Sequence, residues 1–556
     1  MNSKLSNLAR ASLIAALLAI AAGCTPEPDT TPQQQSALAN PAVPLYDDLG
    51  DYHYEVTIST ALAQRYFDQG LRLYYAFNHA EAIRAFREAQ RLDPNCAMCW
   101  WAEALAWGPN INLPMDEPSA LAAHAASEGA LARKASSSEK EQALIDALAV
   151  RYASTPPTDR SALDLAYANA MAEVTARFPE DLDIGVLYAE SLMDLRPWDY
   201  WTDDRQPQPG MEFALAQLEK AMAANEEHPG ACHFYIHAVE AVFPERAIPC
   251  AERLAALMPG AGHLVHMPGH IYIRVGRYLD AVAANEHAVH ADETYILDQN
   301  PGMGMYTAGY YPHNYDFMAF AAMMIGRSQM AIDSAEKVTS LLPPEMFGSP
   351  GMDFLQHWSV RPLLMQVRFA QWDALLALPE PPAGRPYAQA IWHYARGRAS
   401  LARGDIEAAN QELMLLKATA AEPAMAGLRM EFNQATDLAA IAEQVLTGWR
   451  DATAGDYPAA IAALRSAVQL EDDLFYGEPP EWSVPPRQDL GEVLLLAGQY
   501  ADAEQAFRED LELFPENGWS LHGLIKALRA QNEDAEAAEL ESTFTRVWAT
   551  ADVTLD

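Results

Sequence analysis

Apolar residues recur along this chain at helical spacing, and the spacing itself recurs as a larger unit. Ala63, Tyr66 and Gly70 are followed by Ala82, Phe86 and Ala89, and Pro94 closes the stretch. Steps of three and four residues put side chains on one helical face. The stretch therefore predicts two helices joined by a short turn, the second ended by proline. The pattern returns at Trp100, Ala104 and Trp107, and at Gly269, Tyr272, Gly276, Tyr278, Ala281 and Ala288. It returns again at Gly397, Gly404, Ala409 and Leu413, then at Gly448, Gly455, Tyr457, Ala460, Leu464 and Ala467. Its fullest form is Leu490, Gly491, Gly498, Tyr500, Ala503, Phe507 and Pro515, and a weaker form carries Gly326, Ala331 and Pro343. Small residues let two antiparallel helices approach, and the aromatic fills the gap between successive pairs. One pair cannot bury its apolar face alone, so the pattern predicts an all-α stack of roughly nine to eleven pairs.

This spacing resembles the tetratricopeptide repeat. The resemblance implies an α-solenoid, a superhelix of antiparallel helix pairs, whose concave groove takes a protein or peptide. It also implies that the first helix of each pair lines the groove through its second, fifth, ninth and twelfth positions. The stretches 197–210, 300–311, 343–351 and 379–386 are rich in Pro and Gly and interrupt the array. Insertions of this length carry function or mark a break in the superhelix. They divide the chain into an N-terminal array, 45–385, and a C-terminal array, 386–556.

Lys4 and Arg10 precede an uncharged run, Ala11 to Gly23, that is too short to span a bilayer. Ala21-Ala22-Gly23-Cys24 resembles the end of a bacterial lipoprotein signal. The resemblance implies a signal peptide over 1–23, lipid on Cys24 and, with Thr25 following, the outer membrane of the cell envelope. Ordinary secretory cleavage is the alternative. Residues 24–44, rich in Pro, Gln and Thr, predict a flexible tether. The lipid would then be the only membrane contact. Thirty-seven basic residues against 76 acidic ones leave a net charge of −39. That argues against nucleic acid as a partner, because phosphate recognition needs a basic footprint.

Five cysteines are too few for a disulfide scaffold. Cys96-x2-Cys99 reads as a local disulfide, with a redox-active pair as the alternative. Cys232 and Cys250 flank a turn near Phe243-Pro244 at unequal distances, which disfavours a bond between them.

The histidines carry the candidate chemistry. Eight of the 15 fall between 233 and 313. His233-x3-His237-x2-Glu240 shares one helical face, and so does His263-x2-His266-x3-His270. In the repeat frame, His263, His266 and His270 fall on the second, fifth and ninth positions from Gly262, and His313 on the second from Pro312. His287 and His290 lie on a second helix, facing away. Imidazole and carboxylate suit a transition ion such as zinc or copper. Thioethers at Met267, Met303 and Met305 would favour copper, unless they only pack. Arg274, Glu286, Tyr310, Tyr311 and Asn314 are candidates to support the site. The alternatives to metal are a metal-free peptide groove and structural histidines. No zinc-protease helix, phosphate loop or nucleophile elbow is present. The leading reading is therefore a binding scaffold with a His-lined site. A metal-dependent hydrolase or oxidoreductase, or a metal-handling redox chaperone using Cys96 and Cys99, stands behind it.

Overall fold

The computed structural model describes residues 43–349 and 351–555. The signal peptide, Cys24 and most of the tether expected from the sequence lie outside the described residues. Among those described, no helix is long and apolar enough to cross a membrane.

The chain is an all-α solenoid. In order the helices are α1 (Ala61–Tyr75), α2 (His79–Leu92), α3 (Ala97–Ala106), α4 (Glu117–Leu131), α5 (Glu139–Ala149), α6 (Ser161–Arg177), α7 (Leu182–Met193) and α8 (Met211–Ala224). Then come α9 (Pro229–Val239), α10 (Ile248–Leu257), α11 (Gly262–His266), α12 (Pro268–Arg274), α13 (Tyr278–Gln299), α14 (Tyr311–Met324), α15 (Ser328–Leu341), α16 (Phe354–Ser359), α17 (Arg361–Arg368) and α18 (Trp372–Ala377). The last stretch holds α19 (Pro386–Ala402), α20 (Ile406–Ala420), α21 (Ala435–Thr453), α22 (Tyr457–Asp472), α23 (Pro486–Leu496), α24 (Tyr500–Leu513), α25 (Gly518–Ala530) and α26 (Asp534–Val547). Neighbours in sequence are neighbours in space, as in α1 with α2, α19 with α20 and α21 with α22.

The repeat spacing has a steric origin. A Cβ on Gly70 would meet the Phe86 ring at 2.4 Å, one on Gly491 the Phe507 ring at 2.5 Å, and one on Gly448 the Leu464 side chain at 2.6 Å. The offset of 16 residues is the same each time, so one contact register joins the two helices of each pair. Close-packed interiors leave no room for the added atom.

The end of the chain folds back onto its middle. The indole of Trp519 donates to the Met323 carbonyl at 2.8 Å, and Asp552 accepts from the Ser328 and Gln329 amides at 2.6 and 3.0 Å. Arg361, fully buried, pairs with Asp316 of α14 at 2.9 Å and donates to the Glu481 carbonyl at 3.1 Å and to the Ser483 hydroxyl. The loop between α22 and α23 is thereby held across the His-rich helices.

Cys96 and Cys99 are bonded at the start of α3, with Cα atoms 5.4 Å apart. Cys232 and Cys250 are also bonded, with Cα atoms 5.3 Å apart, contrary to the expectation from the hairpin count. The turn occupies Glu240 to Phe243 rather than Phe243-Pro244, and the returning leg opens with a 3₁₀ segment, Pro244–Ala247. A 3₁₀ segment rises about 2.0 Å per residue against about 1.5 Å in an α-helix, which evens the two legs.

Replacing Arg361 by Ala leaves the Asp316 carboxylate buried without its cation. Chemical denaturation should show a loss of about 3–5 kcal/mol. A change below about 1 kcal/mol, the worth of an exposed pair, would mean that this contact does not hold the loop.

Candidate metal centre

Four helices bring the histidines together. α9 carries His233 and His237, with Glu240 at its C-cap. Pro268 lacks the amide proton a continuing helix would use, and it follows the break between α11 and α12. That break sets His263 and His266 on one short helix and His270 on the next. His313 enters from the first turn of α14. His233, His237, His263, His266 and His270 are all at most 2% exposed, and Glu240 is fully buried. Three groups have ligand atoms within 4.8 Å of one another: His233, His237 and His263; His266, His270 and His313; and His237, Glu240 and His270.

Hydrogen bonds decide which way the rings face. His233 Nδ1 lies 2.6 Å from the Tyr75 carbonyl. His237 Nδ1 lies 3.0 Å from one oxygen of Glu240, and His270 Nδ1 lies 2.7 Å from the other. His266 Nδ1 lies 2.7 Å from Asn285 Oδ1, whose amide nitrogen is fixed by donating to the Ala281 carbonyl at 2.8 Å. All four partners are acceptors, so each Nδ1 carries the proton. An uncharged ring has only one, and each Nε2 therefore presents a lone pair. His266 Nε2 and His270 Nε2 face each other at 2.9 Å. His233 Nε2, His237 Nε2 and both nitrogens of His263 are buried without a partner.

Protonation is disfavoured at five of these rings. Burial, and then the neighbouring imidazoles, hold His233, His263, His266 and His313 well below the usual imidazole pKa. Burial also lowers His237, against the pull of Glu240. Burial alone would raise Glu240, but the rings of His270 and His237 outweigh it and bring the carboxyl to about 2. The pocket is rich in nitrogen lone pairs. Two nitrogens bound at about 2.0–2.1 Å to one tetrahedral ion sit roughly 3.3 Å apart, close to the His266–His270 separation.

Aromatic rings wall the pocket, and two of them hold strained backbone. Phe77 has φ of 55° at the turn position where other pairs carry Gly276, Gly455 and Gly498. Its ring lies 4.4 Å from that of His233 and stacks at 5.4 Å on His263. Trp198 has φ of 68° and meets His237 edge-on at 5.2 Å. A bulky residue in this region costs about 1–3 kcal/mol, and such strain concentrates at functional sites. Tyr310 covers His263 at 4.4 Å, and Phe317 lies 4.6 and 4.5 Å from His266 and His270. Beyond Trp198 a cleft of about 1150 Å³ opens, lined also by Trp201, Arg274, Tyr476 and Glu478. Buried Glu478 comes within 3.9 Å of His270 Nδ1 and 3.6 Å of Arg274, and one of its oxygens has no partner.

The structure gathers all six histidines singled out in the sequence, and Glu240 with them. Glu240 spends both oxygens on Nδ1 protons, so it orients rings rather than facing the lone pairs. Glu286, His287, His290 and Met303 are exposed. Met267 lies in the hydrophobic core and Met305 packs against it, while the clustered groups consist of imidazoles and Glu240. Tyr311 turns to Glu293, and Asn314 donates to Asp292. Sequence reasoning missed the Tyr75 carbonyl, Asn285, Phe77, Trp198 and Glu478. Two had a visible signal: Phe77, a large aromatic at a glycine position of the repeat, and Trp198, inside the 197–210 insertion.

No protein-family model matches the sequence, and no curated protein aligns with it. Solved structures with a similar trace include a human IFIT1 dimer with m7Gppp-AAAA, at 13% identity and a TM-score of 0.33 over 88% of this chain and 92% of that one. The P58(IPK) TPR domain matches at 13% identity and 0.22, over 85% and 98% of the two chains, and yeast Tom70 at 11% and 0.29, over 88% and 92%. Likeness at this level identifies no site and no partner.

Tyr75, whose carbonyl holds His233, is itself held by Asp183, which accepts from the Tyr75 and Tyr52 hydroxyls at 2.7 and 2.8 Å. Burial raises the Asp183 carboxyl from 3.8 to about 7, against those two hydrogen bonds. Between about pH 4 and pH 7 the folded chain keeps a proton there that the unfolded chain has released. This group's contribution therefore falls as pH rises through that window and is level above it. Asp183→Asn should flatten the fall, so the variant gains on the parent between pH 5 and pH 8 in thermal melts. Parallel curves would refute the assignment.

Proposed function

We propose that this chain is a helical-repeat binding protein of the bacterial cell envelope, built around a buried transition-metal centre. The observation that carries the reading is the set of inward Nε2 lone pairs whose Nδ1 protons are already committed. Metal-binding histidines have this arrangement, with an outer acceptor fixing the tautomer and aiming the other nitrogen at the ion. Imidazole donors favour zinc or copper. Lipid on Cys24 would hold the protein at the outer membrane, and labelling with a fatty-acid analogue that Cys24→Ser abolishes would test that anchor.

The partner proposed for the cleft is a basic protein segment or peptide. Its lining includes eight Asp and Glu side chains but only two arginines, Arg205 and Arg274. Such a surface draws cations and repels other acidic proteins. A Lys-rich peptide should bind in a salt-sensitive manner and a Glu-rich one should not. Equal binding of the two would dismiss this partner.

Elemental analysis of protein purified without chelators should find at least one zinc or copper ion per chain. Absence of metal after growth with both ions would remove the reading. Glu240→Gln keeps the shape but disturbs the acceptors that orient His237 and His270. It should weaken metal affinity about 10- to 100-fold, by competition with a chromogenic chelator.

A second reading rests on the cleft itself, which shares Trp198 with the wall of the His pocket and reaches Glu478 beside His270. A metal-dependent hydrolase or oxidoreductase would need such access. Turnover of model esters or phenols by the metal-loaded chain, lost in His237→Ala, would favour it over a non-catalytic scaffold.

A further inference from the structure

We infer that the pocket holds two transition-metal ions side by side, one on His233, His237 and His263 and the other on His266, His270 and His313. The inference rests on the metal reading above and deepens it. The two triads share no residue, and each has its ligand atoms within 4.8 Å. Ligands of a single ion at about 2.1 Å lie no more than about 4.2 Å from one another. Among the described residues no one group gathers all six rings. One ion on the second triad would leave buried nitrogens of His233, His237 and His263 without a partner, each costing about 1–3 kcal/mol, and one ion on the first would leave His266 Nε2 facing His270 Nε2 at 2.9 Å. Three histidines are also a sufficient protein set for one zinc ion with an open position.

The triads adjoin. The rings of His237 and His270 are 5.3 Å apart between centroids, and those of His263 and His266 are 5.8 Å apart. Glu240 ties them together, because one oxygen holds His237 of the first set and the other holds His270 of the second. A single carboxylate thus sets the aim of both. Two dications so close need counter-charge, and Glu240 and Glu478, both buried, stand beside them. The open positions of the two ions would share one small space, suited to an oxygen-donor ligand bridging them.

The test uses the full chain stripped by chelator and titrated with cobalt(II) alone in equilibrium dialysis. Two ions per chain are expected, with one each in His263→Ala and His313→Ala and none in the double variant. Copper(II) supplies a second readout. The paramagnetic signal per copper should drop when the second equivalent enters, because neighbouring ions couple. Circular dichroism checks each fold, and His263→Gln and His313→Gln replace any Ala variant that fails to fold. One ion in the parent chain overturns the pair but leaves a single centre. No ion overturns both readings. Two ions that persist in both single variants would place them outside the triads and overturn the inference.

Discussion

The centre of this molecule depends on where four protons sit. A backbone carbonyl, an amide oxygen and the two oxygens of one carboxylate each claim an Nδ1 proton, from His233, His266, His237 and His270. Each claim leaves a bare lone pair on the opposite nitrogen. Any one such ring in a core is ordinary. Four that face inward, joined by a fifth with no partner on either nitrogen, make a cavity rich in lone pairs and short of hydrogen-bond donors.

The solenoid supplies the rigidity this requires. The shared glycine-to-aromatic register locks the helices of a pair, so side chains on successive first helices meet at fixed distances. The site then departs from the repeat in three places. Pro268 divides what would be one helix, Phe77 takes a glycine position, and Trp198 adopts a left-handed backbone. Each departure places a ring or an imidazole against the pocket, and the left-handed backbone at Phe77 and Trp198 is locally unfavourable. Surrounding packing sustains them, including the clamp of Asp183 on Tyr75.

Much of this was legible in the chain itself. The spacing of Gly70 to Phe86, of Gly448 to Leu464 and of Gly491 to Phe507 encodes the pairing of helices. The three- and four-residue steps among His233, His237, His263, His266 and His270 encode a common face. The role of Glu240 was not legible, because ligand and orienting carboxylate differ only by which atoms they meet in space. The Tyr75 carbonyl leaves no trace in residue identity. Glu478 lies over 200 positions from His270 and arrives only through a loop whose path depends on Arg361. The bond between Cys232 and Cys250 depends on a 3₁₀ segment that a uniform helical rise does not represent.

The return of the C-terminal helices onto α14 and α15 changes what kind of repeat protein this is. In an open array each unit touches only its neighbours, and units can be trimmed from an end with graded loss. Here the last residues brace the middle, and the strap over the pocket comes from a turn near position 478. The pocket's floor is built from positions 233 to 317 and its roof from a loop near 478, so its walls meet only when segments far apart in sequence have docked, and enclosure of whatever the pocket holds comes late in folding.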